Sequence, residues 1–80
     1  MDELPSATPQ HHMNAQYRRV MDGLLSNAER DVRLARAAGD AHAHATASAR
    51  FETLKAALGI YAGSHRAAYG TYPWPQGDQP

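Results

Sequence analysis

Five histidines in 80 residues are the first candidates for chemistry. His42 and His44 are two apart, so on a helix they point about 200° from each other and cannot share a metal as a pair four apart would. His11 and His12 are adjacent and face the same obstacle. With no cysteine in the chain, a metal site would need His44 to join residues from another chain. The expectation is therefore no cofactor and no metal ligands. A histidine-dependent assembly, responding to metal or to pH through His44 and His65, stands as one alternative. Catalysis has less to build on. Ser26 and Ser48 lack a nucleophile-elbow context, and Ser64-His65 are mere neighbours. No glycine-rich phosphate loop is present. No catalytic residue is expected, and no enzyme.

Arginine makes up seven of the eight basic residues. Arg18, Arg19, Arg30, Arg33 and Arg36 cluster in one stretch, with Asp22, Glu29 and Asp31 offsetting them. Arg18–Asp22 and Glu29–Arg33 have the spacing of solvated helix ion pairs. Arg30, Arg33 and Arg36 form a candidate site for nucleic acid or a small anionic ligand. The excess of positive charge there is small for a nucleic-acid face, so nucleic acid is not the expected partner.

Aromatic residues crowd the C-terminal segment: Tyr69, Tyr72 and Trp74, the last between Pro73 and Pro75. Flanking prolines favour extended backbone, and Tyr and Trp are preferred interface anchors. Either the tail docks on a partner or it folds back on its own helices. Gly59 and Gly63, continued by Ala67, permit close helix approach. The opposing expectation is a helix that frays or kinks after Leu58.

These residues must be positioned by helices. Thr8-Pro9 has the form of a helix start, with Thr8 as cap and Pro9 in the first turn. Gly39-Asp40 can close one helix in the left-handed conformation and cap the next. Gly70 and the prolines beyond it end the second. The resulting organisation is an extended lead-in over 1–10, helices across 11–69 and a Pro/aromatic tail over 70–80. Two stretches of similar length, each about 45 Å long as helix, should fold back as an all-α antiparallel hairpin.

The apolar spacing supports that fold. Met21, Leu25, Ala28, Val32 and Ala35 follow alternating steps of four and three. So do His44, Ala47, Phe51, Leu54, Leu58, Tyr61, His65 and Ala68. Reversal at Gly39-Asp40 pairs residues whose numbers sum to 79, from Ala35 with His44 to Met21 with Leu58. Beyond that the apolar pairing ends, since Tyr61 faces Arg18 and His65 faces Asn14.

Composition makes this hairpin short of core. Sixteen of the 34 apolar residues are alanine, the formal charge is zero and no disulfide is possible. A domain of this size buries about 60–65% of its unfolded surface, and its stability is about 3–5 kcal/mol. A second apolar strip is left outside the seam: Tyr17, Val20, Leu24 and Leu34 on the first helix, and Ala56, Gly59, Ile60, Gly63 and Ala67 on the second. One hairpin cannot bury both strips, whereas a homo-oligomer or a larger protein partner can.

The stretch from Ala28 to Tyr61, with its Ala38-Gly39-Asp40 turn, resembles a single tetratricopeptide-type repeat in length and turn. It lacks that family's Trp-Leu-Gly-Tyr pattern and is one copy where about three are needed for stability.

The function expected is a non-enzymatic protein-binding module, a small adaptor or inhibitor that occupies a partner surface, of the kind common in mobile genetic elements. Its partner-binding residues would be Tyr17, Val20, Leu24, Ile60, Tyr72 and Trp74. The acidic, proline-containing start does not resemble a signal peptide, and no apolar run approaches a membrane span, so a cytoplasmic location is expected.

Overall fold

The computed structural model describes residues 8–75. They form helix α1, Pro9–Ala38, and helix α2, Ala41–Tyr69, packed antiparallel as a hairpin. The N-terminal segment numbered 1–7 and the last five residues lie outside this description. The helix already begins at Pro9, so the end of the expected lead-in belongs to α1.

Each helix boundary has a local cause. Thr8 is extended, and its hydroxyl accepts the His11 backbone N–H at 3.0 Å. Pro9 follows at the position where a missing N–H costs nothing. At the other end, Gly39 takes φ 71°, open to glycine without strain. Its N–H bonds to the Arg36 carbonyl at 3.1 Å, and the Asp40 N–H to the Ala35 carbonyl at 3.0 Å. That pair of bonds is a Schellman closure of α1. Asp40 then caps α2, its carboxylate accepting the Ala43 N–H at 2.9 Å. One helix is thus closed and the next opened within two residues. Gly70, at φ 81°, ends α2.

The seam lies where the heptad spacing predicts. Asn14, Met21, Ala28 and Ala35 are buried, each seven residues from the last. Leu25 and Val32 between them are half-buried. On α2, Ala47 and His65 are buried, and His44, Phe51, Leu54, Leu58 and Tyr61 are half-buried. A strict seven-residue repeat keeps one stripe against its partner when two helices wind around each other left-handed. Ala68, expected in the seam, is exposed. Its layer lies past Asn14 and His65, where the chain leaves α2 and Pro73 is buried instead.

The expected shortage of core is visible in what fills the seam. Ala28, opposite Phe51, is wholly buried, yet no large side chain among the described residues is. Gly59 and Gly63 do not interrupt α2, which runs on to Tyr69. Nothing lies within 4 Å of where a Cβ would sit on either one. Neither glycine therefore marks a close helix approach within this chain. No described helix is long and apolar enough to cross a membrane.

Ala28 is the tightest point of the seam. Ala28→Leu should destabilise the hairpin by about 1–3 kcal/mol in urea denaturation. The same exchange at exposed Ala49 should change stability by no more than about 0.5 kcal/mol.

Candidate functional site

The open end of the hairpin is a polar layer. Where the apolar pairing stops, Asn14 and His65 meet in register, Asn14 Nδ2 lying 3.3 Å from His65 Nε2. Gln10 Nε2 lies at the same distance from that ring nitrogen. The Thr71 carbonyl, which can only accept, is 2.5 Å from His65 Nδ1. Nδ1 therefore donates to the Thr71 carbonyl, while Nε2 accepts from the two side-chain amides. Tyr61 donates its hydroxyl hydrogen to Asn14 Oδ1. Two buried polar side chains are thereby satisfied, and the start of the tail is tied to both helices.

The tail folds back. The Trp74 ring stacks with Tyr61 at 5.8 Å and with Tyr17 at 6.5 Å, and Tyr17 and Tyr61 are 4.8 Å apart. The Arg18 guanidinium sits 5.0 Å from the Trp74 ring centre while its Nε holds Asp22 at 3.0 Å. Of the six residues expected to bind a partner, Tyr17 and Trp74 are therefore half-buried against their own chain. Tyr72 remains exposed, with the Arg66 guanidinium 5.0 Å from its ring.

Val20, Leu24 and Ile60 are exposed at 50%, 44% and 69%. The ion pair of Arg50 with Asp31, at 2.5 Å, shows that they share a side. It identifies which flank of α1 adjoins which flank of α2. Steps of seven from Asp31 reach Leu24 and Tyr17, and from Arg50 reach Ala43 and Ala57. Val20, Leu34 and Ile60 border those rows on the same side. A shallow groove at the turn end of this face is lined by Asp31, Leu34, Ala38, Ala43, Thr46 and Arg50, with Asp40 and His42 at its edge. Apart from Asp31 and Arg50, which neutralise each other, no charged residue of either helix falls on these rows.

The other side is charged. Arg33 and Arg36 line a groove there with Glu29, Val32 and Phe51. Lys55 stands 5.3 Å from the Phe51 ring centre. Of the three arginines proposed for anion binding, two share this groove with a carboxylate, and Arg30 does not line it. No Glu29–Arg33 ion pair forms among the described residues. The histidines are dispersed as well, and no three His, Asp or Glu side chains among the described residues converge to hold a metal ion.

Sequence reasoning did not anticipate the Asp31–Arg50 bridge or the bonds around His65. Both had a signal. Asn14 falls on the heptad of Met21 and Ala28, and flank residues on one side have numbers summing to 81.

The chain matches no family model, no curated protein and no solved structure.

Two substitutions test these contacts. Tyr61→Ala removes the ring against Trp74 and the donor to Asn14. It should cost about 2–4 kcal/mol and shift the emission of the single tryptophan to longer wavelength. His44 is the opposite case, because its Nε2 is buried with no hydrogen-bond partner among the described residues. His44→Leu should raise stability by about 1 kcal/mol in thermal or urea melts, by removing an unsatisfied polar atom.

Proposed function

We propose that the hairpin is a non-enzymatic protein-docking module, an adaptor or inhibitor that works by seating one face on another protein surface. The observation that carries this reading is the segregation of charge. One side of the hairpin holds Val20, Leu24 and Ile60 exposed; along its helix rows the only charges among the described residues, Asp31 and Arg50, are bridged to each other, and the Asp40 cap lies at its turn end. The opposite side holds Asp22, Glu29, Arg33, Arg36 and Lys55. A solvated face of a two-helix protein has no need to exclude charge, whereas the centre of a protein interface is depleted in it. The thin alanine seam gives the same direction, since covering this face adds core that the hairpin lacks.

Six residues were expected to contact the partner. The reading rests on three of them, Val20, Leu24 and Ile60. Tyr17, Tyr72 and Trp74 build and border the end of the hairpin. Occupying a surface needs no catalytic group or cofactor.

Capture from the native host tests the reading. Wild-type bait and Leu24→Glu bait should both be helical by circular dichroism. Proteins enriched by the wild type, including further copies of this chain, should be lost with Leu24→Glu and should reconstitute a complex with purified wild type. Equal enrichment by both baits would overturn the reading.

A further inference from the structure

We infer that the surface covering this face is a second copy of the chain, joined by a two-fold axis parallel to the helices so that both turns lie at the same end of a four-helix bundle. The inference rests on the docking reading above and names its partner.

The face is divided by height. Nearest the turn is the groove of Leu34, Ala38, Ala43 and Thr46, with the Asp40 cap at its edge. Next comes the charged level, with Asp31 on α1 and Arg50 on α2. Beyond it is an apolar level, Val20 and Leu24 on α1 with Ala57 and Ile60 on α2. A two-fold axis along the helices keeps every residue at its height and exchanges the helices. Leu24 and Val20 of one copy then lie over Ala57 and Ile60 of the other, and Asp31 lies over the other copy's Arg50. Apolar residues meet apolar ones there, and Asp31 and Arg50 each meet their opposite. An axis across the helices fails this requirement. It would turn one copy end for end and set the Asp31–Arg50 level of each copy against the uncharged, tail-proximal part of the other.

Size and charge agree with this occupant. From Tyr17, where the folded-back Trp74 covers the face, to the turn, the two helices offer a strip about 30 Å long and about 20 Å wide, on the order of 600 Å². The smaller specific interfaces take about 600 Å² from each partner. The formal net charge of the chain is zero, so two copies approach without net repulsion. Face-to-face pairing of two hairpins is also a recurrent route to a four-helix bundle with a shared core.

Purified full-length chain is the material for the test. Light scattering should give twice the chain mass of 8.7 kDa. Leu24→Glu and Ile60→Glu should each return the mass to a single chain while helicity by circular dichroism is retained. Ser26→Glu, outside this face, should leave it doubled. A wild type that stays a single chain at hundreds of micromolar overturns the inference, as does a dimer that survives both face substitutions. Face-dependent capture of a different protein by a monomeric wild type would leave the docking reading standing.

Orientation has its own measurement, which does not depend on how the glutamate variants fold. The chain has no native cysteine, so Ala37→Cys accepts a single spin label on the outer surface near the turn. Turns at the same end place two labels about 30 Å apart, the width of the bundle, whereas turns at opposite ends place them about 50 Å apart. A distance near the larger value overturns the two-fold proposed.

Discussion

The two-residue reversal at Gly39-Asp40 is the constraint on which the rest of this hairpin depends. Gly39 must adopt a left-handed conformation to close α1, and Asp40 must be extended to cap α2. With both helices anchored to that point, the residue opposite any seam position is set by a fixed sum. A one-residue change in the turn would rotate α2 by about 100° and bring a different row of side chains against α1. The wholly buried Ala28 under Phe51, and the meeting of Asn14 with His65 some four turns further on, are both consequences of that register.

From the turn outward, the seam changes chemical character without changing geometry. Two of its layers, Val32 with Ala47 and Ala28 with Phe51, pair large with small apolar residues. At the open end the same heptad positions carry Asn14, Tyr61 and His65, which hydrogen-bond across the helices and to the departing tail. A polar layer contributes less burial than an apolar one, but it is intolerant of register slips because a slip would leave buried donors and acceptors unmatched. The aromatic stack of Tyr17, Tyr61 and Trp74 covers that layer with ring surface. The tail thus completes one end of a hairpin whose seam is otherwise apolar.

A thin seam and an uncharged outer face have a common physical origin. Alanine lets two helices come close but contributes little apolar area per residue. The larger apolar side chains in this chain are divided between the seam, the aromatic end and the face bearing Val20, Leu24 and Ile60. Burying the last group requires a second layer of helices, so stability and association draw on the same residues. The charged side, with Arg18 held by Asp22, keeps the opposite surface hydrated.

Much of this architecture was legible in the residues alone. Caps and breakers act locally, so Thr8-Pro9, Gly39-Asp40 and Gly70 marked the helix ends without reference to the rest of the fold. Heptad spacing and a two-residue turn were enough to pair Ala28 with Phe51, because register in a hairpin follows from counting. Other features required the fold. Whether Trp74 would extend or return depended on the aromatic surface that Tyr17 and Tyr61 make only once α1 and α2 are side by side. Once the seam is chosen, antiparallel packing of two right-handed helices fixes which flanks adjoin, and the uncharged rows follow from it. Whether side chains on adjoining flanks reach each other, as Asp31 and Arg50 do, depends on how closely and at what angle the helices pack, and that is a property of the tertiary structure, not of spacing within either helix.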